Sequence, residues 1–387
     1  QIQDTLTVQR ALGGSIKFHA GDIHYATADL LSSTKRDLAQ ERKDQFRTAC
    51  RQQQLNQQQL LDAMQTWSST RLIVLGDTIV DQYAACEAVG MSAEAPVVVV
   101  KELKHRNFIG GAAIVAAHIR ALGAQCDLVS VVGEDNPAQL VKQELARQTI
   151  GDALTCDSSR PTTFKKRYVV ENQKLFRVSR LEEHSLDAAI EAQVITQLKQ
   201  LAPKAQGIVV SDFVYGVVTP SILEVVQELS QSHDLMLFGD LQCSSQVGSV
   251  TRFQNFSLLC PNEREARLAM QDKNIGLEQL SQRLLHLTST ERLVMKLGAQ
   301  GFIAYDRNAN GNIHTQSFPA LSVNPLDVTG AGDSLLAVLA TGLASRQSMM
   351  PSAALACCMA SIAVETMGNT PISAELLREN LQEFMQP

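Results

Sequence analysis

From Arg71 onward, apolar residues fall in short unbroken runs separated by stretches with a helical repeat. Leu72-Ile73-Val74-Leu75 closes on Gly76-Asp77, the pattern of a strand buried on both faces whose carboxyl end opens onto a crevice. Comparable runs recur over residues 127–132, 207–211, 235–238, 258–259 and 293–297. Such alternation predicts an α/β sheet covered by helices on both faces. Residues 95–108 and 162–180 break the pattern: they are β-branched or aromatic, mixed with charge, and carry no helical stripe. They predict antiparallel strands with one exposed face, forming a lid over a site or pairing with another subunit. Upstream, residues 35–68 are rich in Gln, Lys, Arg and Glu, with Leu55, Leu60, Leu61, Met64 and Trp67 spaced as one stripe. One or two docked amphipathic helices are expected there.

With 387 residues, the chain can hold one large domain and a smaller appendage; the change in texture divides it into an appendage, 1–68, and a main domain, 69–387. The net charge of −6, with no compensating Lys/Arg block, argues against a nucleic-acid protein. Eight cysteines lie scattered without a Cys-x-x-Cys pair, so reduced thiols and a cytoplasmic location are expected. No run is apolar enough to span a bilayer, and the N-terminus lacks the order of a signal peptide. The chain begins at Gln1, and is expected to be part of something longer.

The most informative stretch is Asp327-Val328-Thr329-Gly330-Ala331-Gly332-Asp333, followed by an apolar helical run. Small residues let the backbone present its N–H groups at the positive end of a helix, a place for an anion. Asp333 would stand at its mouth as a carboxylate able to take a proton from a hydroxyl; a helix cap accounts for the same residues. Gly110-Gly111 precede an Ala-rich helix and suit either ligand contact or close packing. Asp77 and Asp81 can grip hydroxyls or cap loops. Lys165 and Arg167 share one strand face, able to meet an anionic group or simply be solvated. Asn262 and Glu265 are placed to hold water around Mg2+ or to cap a helix. Lys296-Leu297-Gly298-Ala299-Gln300-Gly301 suits a turn passing a nucleotide or a plain hairpin. The P-loop and dinucleotide signatures are missing.

In this order, Gly76-Asp77, Gly110-Gly111, Asn262-x-x-Glu265 and Asp327 through Asp333 resemble the ribokinase-like (PfkB) sugar kinases. The chain looks most like the kinase portion of bifunctional heptose-phosphate kinase/nucleotidyltransferases, on Ser92-Ala93-Glu94-Ala95-Pro96-Val97 and the Lys165/Arg167 strand. Leu12-Gly13-Gly14-Ser15-Ile16-Lys17-Phe18 and Thr27-Ala28-Asp29-Leu30-Leu31 weakly resemble parts of the fused nucleotidyltransferase-like domain. The resemblance implies an α/β, ribokinase-like three-layer sandwich with a small β-sheet lid and an N-terminal helical appendage. It also implies ATP and Mg2+ as cofactors and a homodimer formed through the lid. Asp333 becomes the base and Gly330, Ala331 and Gly332 the anion hole. Lys296, Gly298 and Gly301 fall near the nucleotide, with Asn262 and Glu265 supporting Mg2+ through water. Asp77, Asp81, Gly110, Gly111, Lys165 and Arg167 form the sugar or sugar-phosphate side. Three positions depart from the heptose kinases: Ile114 where Asn is usual, Tyr215 where Lys is, and Gln242 in place of Lys. The expected function is ATP-dependent phosphorylation of a sugar or sugar phosphate; the alternative is a catalytically weakened nucleotide- or sugar-binding domain of a larger biosynthetic protein.

Overall fold

The structure, a computed structural model, describes residues 35–171, 173–243, 248–308 and 310–386. The two upstream segments that resemble a nucleotidyltransferase lie outside the described residues. The chain divides into two compact units, Gln1–Gln40 and Glu41–Pro387, and the second carries both β-sheets.

In chain order the elements are α1 (Lys35–Gln52), α2 (Gln57–Gln65), β1 (Arg71–Gly76), β2 (Thr78–Met91), β3 (Val98–Gly111), α3 (Ala112–Ala121), β4 (Gln125–Val132), α4 (Asn136–Arg147), β5 (Gly151–Cys156), β6 (Thr163–Val170) and β7 (Gln173–Arg180). Then come α5 (Ala188–Leu201), β8 (Gly207–Asp212), α6 (Pro220–His233), β9 (Met236–Leu241), β10 (Leu258–Leu259), α7 (Glu263–Met270), α8 (Leu277–Leu287), β11 (Arg292–Lys296), β12 (Phe302–Arg307), β13 (Ile313–Phe318), α9 (Ala331–Ala344), α10 (Met349–Val364) and α11 (Ala374–Met385).

Nine strands form the main sheet in the order β13-β12-β11-β10-β9-β8-β1-β4-β5. It is parallel from β5 to β11 and ends in the antiparallel β12 and β13. Because successive side chains on a strand point to opposite faces, Leu72 and Val74 enter one core while Ile73 and Leu75 enter the other. The first core is packed by α3, α9, α10 and α11, the second by α5, α6 and α8. The result is the expected three-layer α/β sandwich. In the N-terminal segment, Leu60, Met64 and Trp67 are buried, and α2 starts with a reciprocal Asn56–Gln59 capping box.

The lid differs in detail from the sequence expectation. It has four strands, ordered β3-β2-β6-β7, and its central pair, β2 and β6, is parallel. Residues 78–91 carry no lid signature of their own because β2 follows β1 with only Asp77 between them and is largely buried over its first nine residues, so its start merges with the core pattern. The end of β2, most of β3 and all of β7 are open: Val89, Met91, Val98, Leu103, Phe176 and Val178 are all exposed.

Candidate active site

Gly330, whose φ is +83°, stands at the cap position just before α9 and supplies no side-chain cap. The first N–H groups of a helix have no partner within it, and Gly330 through Asp333 line a cavity of about 740 Å3. A Cβ at Gly330 would lie 2.4 Å from Asn369 Oδ1, and one at Gly332 would lie 3.3 Å from Lys296 Nζ. Glycine thus lets the turn pass close to both polar groups.

Asp333 is buried, and Gln242 Nε2 donates to its Oδ1 at 2.8 Å. Burial and the nearby Asp240 carboxylate push the Asp333 pKa up to about 7, against the opposing effects of Lys296 and Gln242. Lys296 Nζ bridges both Asp240 oxygens at 2.7 and 2.9 Å. Burial disfavours its charge, but Asp240 and Glu265 outweigh that and raise its pKa. The result is a carboxylate poised near neutrality beside an ion pair, under a helix N-terminus.

The turn itself is braced from the lid. Asp327 accepts from Tyr83 Oη and Lys174 Nζ, each at 2.6 Å, and from the Thr329 backbone N–H at 2.9 Å. Burial opposes ionisation of Asp327, but these hydrogen bonds prevail and hold its pKa at about 2.

Not every residue singled out in the sequence reaches the cavity in the same way. Asp81, Gly111, Lys165, Arg167, Asn262, Glu265, Lys296, Gly298 and Gly301 line it, as do Gly330, Ala331, Gly332 and Asp333. Asp77 turns away: its carboxylate accepts the backbone N–H groups of Phe213, Tyr215 and Val217 at 2.8, 3.3 and 3.3 Å, fastening the turn after β8. Gly110 packs on Asp81, where a Cβ would meet Oδ2 at 2.5 Å. Asn262 and Glu265 form a full capping box at the start of α7, and Glu265 also accepts from the Cys243 N–H at 3.3 Å.

Lys165 and Arg167 share a face but not a state. Arg167 is ion-paired with the buried Asp81, which also accepts from Asn369 Nδ2 at 3.2 Å. Lys165, only 3 % exposed, rests its ammonium 5.2 Å from the Phe213 ring centre and 5.0 Å from that of Tyr215, a cation–π arrangement. No carboxylate among the described residues pairs with it. Asn369, Tyr83 and Lys174 carry no motif, and only the fold brings them here, whereas Asp240 and Phe213 stand in the two stretches, 240–242 and 212–216, that depart from the heptose kinases. Among the described residues, no group of three or more His, Cys, Asp or Glu side chains is arranged to hold a metal, and no helix is long and apolar enough to cross a membrane.

Comparison with known proteins bears on the family and the fold. A profile of the pfkB family carbohydrate kinases matches residues 69–375. The chain belongs to that family. Among relatives, the "Bifunctional protein HldE" of Trichlorobacter lovleyi is 31% identical over 316 residues, covering 80% of this chain and 62% of the relative. Its counterpart from Campylobacter jejuni subsp. jejuni serotype O:6 is 30% identical over 312 residues, covering 80% and 64%. The chain therefore matches less than two thirds of the length of these relatives. In fold, it is similar to phosphofructokinase-2 from Escherichia coli, solved with substrates and products: TM-score 0.67, 15% identity, 82% of this chain and 100% of that one. Ribokinase from Arabidopsis thaliana, solved with ribose and ATP, gives a TM-score of 0.63 at 19% identity, covering 81% and 99%. The sandwich and lid are those of a ribokinase-like pfkB kinase.

Proposed function

We propose that this pfkB-family chain transfers the γ-phosphoryl group of ATP to a hydroxyl of a sugar or sugar phosphate, with Asp333 as the base. The observation that carries this reading is the Asp333 carboxylate, poised near pH 7 at the mouth of an uncapped helix N-terminus. A base near the working pH combines availability with proton affinity. The N–H groups of Gly332 and Asp333, with the helix dipole behind them, stabilise charge building on the transferred phosphoryl. Asp333 takes the acceptor's hydroxyl proton as its oxygen attacks phosphorus and the bond to the ADP leaving group breaks.

The nucleotide occupies the end of the cavity lined by Lys296, Gly298 and Gly301. The donor set there fits a magnesium ion brought in with the nucleotide and held chiefly by phosphate oxygens and water, since Mg2+ keeps several waters. Asn262 and Glu265, whose polar atoms are already engaged in the capping box, would meet its waters. When bound, the ion neutralises phosphate charge. The acceptor lies toward Asp81, Gly111, Lys165 and Arg167. Asp81, held by Arg167 and Asn369, orients a hydroxyl, and the uncompensated ammonium of Lys165 suits a phosphate on the sugar. Asp77 and Gly110 support this end from behind. The exposed apolar residues of the lid suit a second copy of the chain, giving a homodimer, and the weak resemblance of residues 12–18 and 27–31 is the basis for proposing an upstream nucleotidyltransferase-like domain.

The test is release of ADP from ATP and Mg2+ across a panel of sugars and sugar phosphates. Asp333→Asn should lower turnover at least about a thousandfold while ADP binding persists. Undiminished turnover would sink the mechanism. Binding without any ADP release by the parent chain would favour a weakened binding domain, the reading motivated by Ile114, Tyr215 and Gln242.

A further inference from the structure

Helix α1 precedes the span that the family profile matches, yet one of its side chains reaches the cavity wall. Arg42 Nη1 donates to the carbonyl oxygens of Ala320 and Ser322, both at 2.6 Å, and Arg42 lines the cavity with them. The helix is firmly seated where it does so. One turn further on, Phe46 is fully buried, its ring centre 6.5 Å from Phe318 and 6.4 Å from Phe384. Arg47 Nε donates to the Phe384 carbonyl at 2.9 Å, and Gln53 Nε2 donates to Gln316 Oε1 at 2.7 Å. Arg42 is thus carried to the cavity on a helix tied to β13 and α11.

The chemistry explains why an arginine stands there. Residues 319–323 follow β13 without regular secondary structure, so their carbonyls have no ladder to satisfy them. A guanidinium is always charged and offers several donors in a fixed plane. One nitrogen fastens two carbonyls. The same segment backs the turn of Gly298 and Gly301: a Cβ at Gly301 would lie 2.1 Å from Phe318 O and 2.7 Å from Ala320 N. Without Arg42, the two carbonyls lose a charged donor and the wall behind that turn loses its tether.

We propose that Arg42 is a positioning residue for the nucleotide end of the cavity, so that a helix outside the kinase profile sets nucleotide affinity. This rests on the reading that the Lys296–Gly301 end takes the nucleotide. Arg42 acts through the 319–323 wall segment, which it holds against the Gly298–Gly301 turn.

The test is titration of the full chain with ADP and Mg2+ by calorimetry, alongside thermal melting of the ligand-free chains. Arg42→Ala should raise the Kd for ADP about tenfold. Arg42→Lys, which keeps a cation able to serve one carbonyl, should return to within about threefold of the parent. The rescue separates positioning from packing, because a role confined to packing would follow the melting temperature and not the charge. Should Arg42→Ala fail to fold, Arg42→Gln against Arg42→Lys makes the same comparison. Equal ADP affinity in the parent and in the neutral variant would overturn the assignment of Arg42 while leaving the kinase reading intact. Absence of ADP binding in the parent would overturn both.

Discussion

If Asp333 is the base, its ionisation should govern the acid limb of the pH–rate profile, and Gln242 is the handle on it. Gln242 Nε2 lies 2.8 Å from Asp333 Oδ1, so Gln242→Lys would bring a full charge close to the carboxylate. Two unit charges about 4 Å apart interact by about 4 kcal/mol at an effective dielectric of about 20. At about 1.36 kcal/mol per pKa unit, that is an upper bound of about three units. A lysine head that keeps some water should realise about one to two. The sign follows: Asp333 is active when ionised and starts from about 7, so parent kcat/KM should climb about tenfold per pH unit below 7 and then level off. In the variant, the limb should move down to about pH 5–6, with a lower plateau because the base is weaker. The assay is kcat/KM against pH, using an acceptor whose own ionisation has been titrated separately. A parent limb near pH 4, or a limb that Gln242→Lys leaves in place, would refute the assignment of Asp333 and its environment.

Two further expectations concern the acceptor end and the lid. Lys165→Met should raise the KM for a phosphorylated acceptor about 30- to 160-fold, since a charge-assisted hydrogen bond in a buried site contributes about 2–3 kcal/mol; the same rise for a neutral sugar would show that Lys165 does not read the phosphate. Val98→Lys combined with Leu103→Glu should shift the sedimentation mass toward the monomer, because both are exposed apolar side chains on β3; an unchanged mass would place any dimer contact elsewhere.

The sequence spoke most clearly where local chemistry and tertiary role coincide. The run Leu72 to Asp77 reads as a strand because both its faces are buried, and the Asp327–Asp333 turn reads as a helix start because its small residues serve that start directly. It was less legible where one residue does two things. Asn262 and Glu265 carry a cap signature, which says nothing of the cavity they line. Asp77 resembles Asp81 in spacing and chemistry, yet three backbone N–H groups claim it, and the turn that supplies them lies more than a hundred residues away. The charge state around Asp333 depends on Asp240 meeting Lys296 across 56 positions, and Arg42 meets its carbonyls across 278 and 280. Such pairings leave no local periodicity to detect. Lys165 is the subtlest case, because its partners are the rings at Phe213 and Tyr215, the latter standing where the heptose kinases carry a cation.

A single residue separates β1 from β2, and this has mechanical meaning. Strand β2 runs on from the central sheet with only Asp77 between, while β6 and β7 join the core through residues 157–162 and 181–187. Strand β3 rejoins the core at Gly111, where α3 begins. Any swing of the lid must therefore bend at Asp77 and Gly111 and carry the two longer connections, 157–162 and 181–187, with it. Lys174 lies toward the opposite edge of the lid and grips Asp327 and Thr329, at the start of the turn that leads to Asp333. On the proposed reading, a movement of the lid over an acceptor therefore pulls directly on the turn that carries Asp333.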